Sequence, residues 1–396
     1  MKLEIEELEI IEWHSDHIWN ELISRAQGQK SYYFKDKHFT FEVIIEPRAN
    51  NYYFESCYFE KGLSFKPALR TNDKNFTTHY DEDITLTNCK IDSTFEAKKS
   101  VFDGKVRIHD CEFQKVELTN TKFNSLADFW LTKFTKDVIF YKTDFNSTVV
   151  FSMVTFNENV LFTYSLMGAK AIFARTRFEK GLDFSQTVIS GEIQPFDLHF
   201  DYEKFETEFV GGDDEKYQKY IDTLAKIPLV NKVRTFQILK KAFQDIGSFS
   251  DSILMLREEK KALRNLTKFK LKNKNNDVNL GDKWILSLNR LSNNYNSDFR
   301  NGIWFTLGSV VVFGILTLIF TDAYLDGVCF QDCEFDPERL TRGVEFFMNF
   351  FNPARGLTYL DQLNPVYGVS YFFDFLGRIS VGYGIYQTVQ AFRKYK

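Results

Sequence analysis

The chain has 396 residues, of which 43 are Phe, about 11% against the few per cent of average usage. With 44% apolar residues and 7 Pro it is neither disordered nor collagen-like, and its length favours more than one domain. A net charge of -4 excludes a uniformly basic nucleic-acid binder, and five cysteines cannot form a disulfide framework.

The start, Met1-Lys2-Leu3-Glu4-Ile5-Glu6-Glu7, is acidic where a signal peptide would be basic and then apolar, so the N-terminus is expected in the cytoplasm. Residues 1–53 are expected to form an N-terminal cap. Residues 121–187 can be written as gapless eleven-residue lines: TKFNSLADFWL, TKFTKDVIFYK, TDFNSTVVFSM, VTFNENVLFTY, SLMGAKAIFAR, TRFEKGLDFSQ. One apolar column runs Phe123, Phe134, Phe145, Phe156, Met167, Phe178, Ile189; the other runs Phe129, Phe140, Phe151, Phe162, Phe173, Phe184. Two positions before each large residue stands a small or β-branched one, such as Thr121, Thr132 and Thr143, or Ala127, Val138 and Val149. A helical period would scatter these columns and a plain strand would not need alternating steps of five and six. A solenoid explains them, each short side offering a large and a small inward residue to the coils above and below.

This pattern resembles the pentapeptide-repeat family, in which a large residue at the centre of each five and a small one two places earlier fill a right-handed, roughly square β-helix. Weaker copies at Cys57/Phe59, Cys89/Ile91 and Cys111/Phe113 extend it over residues 54–200, with an irregular stretch near 66–85. The three cysteines are expected as buried small residues. Some members of that family mimic DNA through an acidic face. Residues 101–200 hold 12 Asp/Glu and 11 Lys/Arg, which gives that role no support.

Residues 213–271 are expected to form a basic helical hairpin, since Val230, Val233, Phe236, Leu239 and Phe243 step by three and four before Gly247-Ser248 interrupts the run. Its cations Lys232, Arg234, Lys240, Lys241, Arg257, Lys260, Lys261 and Arg264 could bind phosphates. Attraction to anionic lipid explains a cluster next to a membrane equally well. A polar linker leads to residues 281–295, an amphipathic piece suited to the inner membrane interface.

Gly302 to Phe320 is 19 residues without a charge, about 28 Å of helix, and is expected to cross a bilayer as part of a span over 301–321. Residues 216–274 carry 15 Lys/Arg and 5 Asp/Glu, whereas 322–345 carry 2 Arg and 7 Asp/Glu, so the N-terminal part is expected inside and the 322–365 loop outside. Cys329 and Cys333 in that loop can form a disulfide or stay free. Residues 342–353, RGVEFFMNFFNP, are too short to cross; they either dip into the membrane, bringing Glu345, Phe346, Phe350 and Asn352 to a pore mouth, or lie flat. A second span is expected over 366–392, with Asp374 and Arg378 at i and i+4, where they could pair. Ser380-Val381-Gly382-Tyr383-Gly384 is similar to a potassium-filter sequence, but only 12 residues follow Gly384, too few for a further span, so it is expected within the last helix.

TFQILKKAFQDIG, LREEKKALR, the first span, FFNP and FFDFLGRISVGYGIYQTVQAFRKY together resemble bacterial membrane proteins that join pentapeptide repeats to a two-span, ion-channel-like C-terminus. The architecture is also similar to the membrane effectors of the Hailong anti-phage systems. That resemblance implies a bacterial inner-membrane channel regulated by an oligonucleotide from a partner nucleotidyltransferase. The six histidines are scattered and no phosphate loop or nucleophile elbow occurs, so neither an enzyme nor a cofactor or metal site is expected. The expected class is multidomain: β-solenoid, helical hairpin linker and two-span helical pore domain, assembled as a ligand-gated homotetrameric channel. The alternative is a membrane-anchored solenoid that recruits a partner without conducting ions.

Overall fold

The computed structural model describes all residues except 1–4, 13–30, 48, 66–76, 202–206, 209–226, 273–278, 322–336, 357–359, 361–367 and 393–396. The chain divides into two compact units, Met1–Ser248 and Phe249–Lys396.

The first unit is a parallel β-solenoid. Phe123 pairs in register with Phe145, Phe134 with Phe156, Ala127 with Val149, and Val138 with Val160. Partners thus lie two eleven-residue lines apart, so each line is half a coil and each apolar column of the sequence splits into two stacks. One stack is Phe113, Phe134, Phe156, Phe178 and Phe200, with successive ring centroids 5.6, 4.9, 5.4 and 5.1 Å apart. Another is Phe140, Phe162 and Phe184, at 4.5 and 4.8 Å. Those spacings are close to the separation of hydrogen-bonded strands, so the rings meet their equivalents face to face, except that Phe184 is tilted by 38° on Phe162.

The small inward positions do more than leave room. The hydroxyl of Thr132 donates to the Ile108 carbonyl at 2.9 Å, Thr143 to Leu118 at 2.7 Å and Thr187 to Phe162 at 2.9 Å, each reaching back to an earlier coil. A buried carbonyl left bare would cost about 1–3 kcal/mol. Cys57, Cys89 and Cys111 occupy the same column as Thr132, and the thiols of Cys57 and Cys89 reach the carbonyls of Phe34 and Phe54 at 3.5 Å each. All three are buried, and burial together with thiol–thiol hydrogen bonding pushes the Cys57 and Cys89 thiols above their usual range. The Cys57 and Cys89 thiols are thereby held protonated at neutral pH.

Corners are turned by residues with φ near +55°, including Asn88, Asp110, Leu131, Met153 and Arg175 on one edge and Lys99, Asn120, Lys142 and Tyr164 on another. Bulky residues disfavour this region. Here the corner amides are held by the next coil, Leu131 N–H on the Ser152 carbonyl at 2.9 Å and Met153 N–H on Ala174 at 2.7 Å.

The ladder starts earlier than the expected residue 54. Ser31–Lys35 pairs with Asn51–Glu55, and Phe34 stacks on Phe54 at 5.0 Å. Much of the expected cap over 1–53 therefore forms rungs, since its Tyr32/Phe34 and Tyr52/Phe54 alternation matches the inward period of the coils. At the other end, helix α1 (Leu229–Asp245) closes the solenoid: Thr235 accepts from the Phe184 amide at 2.9 Å, Asn231 donates to Asp183 at 2.7 Å, and Phe236 packs on Phe200. Burial holds the Asp183 carboxyl above the usual carboxylate range.

The second unit contains α2 (Phe249–Lys272), α3 (Leu280–Asn293), α4 (Phe299–Ile319), α5 (Pro337–Phe350) and α6 (Val369–Phe392). α1 thus belongs to the solenoid unit and α2 to the helical unit, where a hairpin was expected to join them in one element. Gly247, with φ +78°, ends α1 where the sequence places the break between the two helices.

Candidate functional site: a buried arginine-aspartate cluster in the helical unit

α4 and α6 run antiparallel along a seam of small residues. A Cβ on Gly302 would stand 2.6 Å from Thr388 Oγ1, one on Gly384 would stand 3.2 Å from the Thr306 Cα, and the hydroxyls of Ser309 and Ser380 are 2.8 Å apart. Close backbone approach of this kind stabilises helix pairs where water supplies no driving force. SVGYG lies inside α6, as expected from its position, and Gly384 serves packing.

Among the described residues one helix, α4, is long and apolar enough to cross a membrane, with a mean hydropathy of 2.2 over its best window. Only 33% of that window is buried, which separates it from the core helix of a soluble domain. The expected second span is helical over Val369–Phe392, but with Asp374 and Arg378 it does not qualify by composition. Two spans are therefore not established by hydropathy.

α5 covers residues 342–350 of the expected apolar run 342–353 and begins before it, while 351–353 form the turn that follows. Its Phe346 and Phe350 are buried against Val310 and Val381. Val310 lies near the middle of α4, so the C-terminal end of α5 reaches the middle of the helix pair. A Cβ on Gly377 would stand 2.6 Å from the Phe350 ring, which makes glycine necessary at that contact. Glu345 and Asn352 are exposed; Asn352 turns the chain by accepting from the Ala354 amide at 3.0 Å.

The end of α5 exposes carbonyls that its own helix cannot satisfy. Arg355 supplies the donors: Nη1 reaches the carbonyls of Phe350 at 2.9 Å and Asn352 at 3.1 Å, while the guanidinium lies 3.8 Å from the Phe350 ring centre. Its Nε meets Asp374 Oδ1 at 3.1 Å, and Nη2 bonds the same oxygen. Arg378 takes the other carboxylate oxygen through Nε at 2.7 Å and donates to the carbonyls of Arg355 at 2.6 Å and Gly356 at 3.3 Å. Asp374 is wholly buried and the Arg355 side chain nearly so, whereas the Arg378 side chain is 21% exposed. The expected Asp374–Arg378 pair is therefore half of a larger cluster. Arg355 escaped sequence reasoning because it sits 19 residues from Asp374 in a Pro-Ala-Arg-Gly loop; the signal available was a helix C-terminus followed at once by a cation, the usual partner of exposed carbonyls.

The eight expected phosphate-binding cations divide between units. Lys232, Arg234, Lys240 and Lys241 lie on α1, and Arg257, Lys260, Lys261 and Arg264 on α2. The α2 cations have internal partners: Arg257 and Lys261 pair with the buried Glu258 at 3.0 and 2.8 Å, Lys260 with the buried Glu259 at 3.3 Å, and Arg264 bonds Ser287 of α3 at 3.4 Å. Cys329 and Cys333 lie outside the described residues. No group of three or more His, Cys, Asp or Glu arranged to hold a metal occurs among the described residues.

The fold and cluster define a class: a parallel β-solenoid joined to a helical unit that contains one membrane-span candidate. No protein-family model, curated protein or solved structure matches the chain.

Proposed function

We propose that the protein is a ligand-gated ion channel of the bacterial inner membrane, a homotetramer in which α4 and α6 both cross the bilayer and α5 is re-entrant. The carrying observation is the Arg355–Asp374–Arg378 cluster at the end of α5. Non-helical backbone is tolerated at membrane depth only where protein satisfies it or water reaches it, and here two arginines satisfy four carbonyls on the 350–356 turn. A helix lying flat on the surface would leave that turn to water and would not need buried cations. A simple anchor would need neither the turn nor the cluster.

In this reading the solenoid and the C-terminus are cytoplasmic, and the candidate contacts to polyanionic ligands are two separate sets, Lys232, Arg234, Lys240 and Lys241 on α1 and Arg257, Lys260, Lys261 and Arg264 on α2. The resemblance to pentapeptide-repeat channel proteins and Hailong effectors supports an oligonucleotide as such a ligand and depolarisation during anti-phage defence as the outcome. Arg234 and Lys241 are exposed and suit this role best, since the α2 cations already have partners.

Ion flux through the purified full-length protein in liposomes tests the proposal. Absence of flux with every candidate oligonucleotide present, absent or removed by nuclease would overturn it. The scaffold alternative is discarded if Asp374→Asn abolishes activity in cells while the protein still assembles and inserts.

A further inference from the structure

α3 is amphipathic with its faces reversed relative to a helix packed on a soluble core. Its polar side turns toward protein: the Tyr383 hydroxyl of α6 donates to Asn289 Oδ1 at 2.6 Å, Ser292 reaches the same hydroxyl at 3.4 Å, and Asn293 donates to the Gln387 carbonyl at 3.1 Å. Its apolar side turns away: Leu280, Trp284, Leu288 and Leu291, spaced by four, four and three, are 65%, 74%, 41% and 68% exposed. Left in water, such a face would be an unusual liability. A capping box between Asn279 and Asp282 starts the helix and a left-handed Asn294 stops it, so its length and facing are well defined.

We infer that this face is a docking surface for the anionic leaflet of a lipid bilayer, with Trp284 seated among the glycerol and upper acyl groups. Two observations select lipid over another protein surface. The apolar face is continuous with that of α4: Leu291 and Trp304 line one groove of about 520 Å³, and only residues 294–298 separate the two helices. Beside the face stand cations, exposed Lys283 and Arg290 seven residues apart on one edge of α3, which complement acidic headgroups. Because the opposite side of α3 holds Tyr383 and Gln387, lipid binding also fixes the cytoplasmic half of α6.

The inference rests on α4 entering the membrane and not on conduction. It is tested on the full-length protein in vesicles of phosphatidylcholine mixed equally with phosphatidylglycerol, brominated in turn on either lipid. Difference spectra against Trp284→Phe and Trp304→Phe isolate the two indoles. Both are expected to be quenched, Trp284 most by bromines high on the chain and with a preference for brominated phosphatidylglycerol. That preference should fall roughly fivefold for each of Lys283→Gln and Arg290→Gln. Quenching of Trp304 with Trp284 open to aqueous acrylamide overturns the inference alone. So does disulfide cross-linking between copies through Trp284→Cys, which assigns the face to a second chain, or an unchanged lipid preference in both glutamine variants. Failure of lipid to quench either indole overturns membrane entry itself.

Discussion

The two units use phenylalanine in opposite ways. In the solenoid Phe134, Phe140, Phe151 and Phe162 are at most 1% exposed and stack on copies of themselves. In the helical unit Phe372, Phe375 and Phe392 are 58%, 59% and 49% exposed. A coil closes on itself and has nowhere to place a ring except its axis, whereas in the helical unit the glycine and serine seam holds α4 and α6 together and the buried rings, Phe346 and Phe350, come from α5. Backbone satisfaction differs in the same way. The solenoid closes its corner carbonyls with neutral hydroxyls and amides from adjacent coils, while the helical unit uses charge at the 350–356 turn.

The contrast is broken most severely from the solenoid side. Phe140→Ala removes a ring buried completely and stacked 4.5 Å from Phe162, and is expected to cost the first unit about 3–5 kcal/mol. Denaturant unfolding followed by far-ultraviolet circular dichroism checks this, and the helical signal should survive. Asp374→Ala is expected to cost the helical unit a similar or slightly smaller amount, about 3–5 kcal/mol, because it strands two cations that share one carboxylate. Replacing Arg355, Asp374 and Arg378 together by Met, Leu and Met should not recover that loss in thermal unfolding of the detergent-solubilised protein, since no charge is then left unpaired but the four carbonyls of the 350–356 turn lose their donors. A triple variant as stable as the unsubstituted protein would mean that these carbonyls need no donor from the cluster.

How much of this was legible before folding depends on periodicity. The Phe columns repeat at a fixed interval, so the solenoid is visible in residues 121–187 without any three-dimensional information. Its corners are not: Leu131, Met153 and Tyr164 adopt φ of 56°, 59° and 54°, which local propensity argues against and only the stacked amides explain. Thr132 was legible as small but not as a donor, because its acceptor, Ile108, lies on another coil. In the helical unit α4 was legible from composition and the charges of α6 from their rarity. The role of Arg355 was not, because its partners are set by where α5 ends. Nor could the sequence show that α1 would spend its apolar face on closing the solenoid, which separates it from α2.

A middle-sized effect probes the seam. Gly302→Val places a branched side chain where even a Cβ would lie 3.0 Å from the Thr388 Cα, and overpacking of this kind typically costs about 1–3 kcal/mol. The same substitution at Gly308, which faces open space, should be neutral. Thermal unfolding of both variants side by side separates the cost of contact from any general effect of valine on the helix.

The smallest expected effect is the most discriminating. Phe375→Ala is the same chemical change as Phe140→Ala, but Phe375 is exposed on α6, so removing its ring opens no cavity and should shift unfolding of the detergent-solubilised protein by no more than about 0.5 kcal/mol. In the proposed membrane setting of α6, lipid or detergent replaces the ring with a contact of similar polarity, which makes an exposed Phe inexpensive. A loss of several kcal/mol, measured with Phe140→Ala as the reference, would mean that Phe375 is covered by another copy of the chain, because only a packed protein surface turns a missing ring into a void. The comparison of these two phenylalanines therefore reports whether the face of α6 around Phe375 is covered by protein.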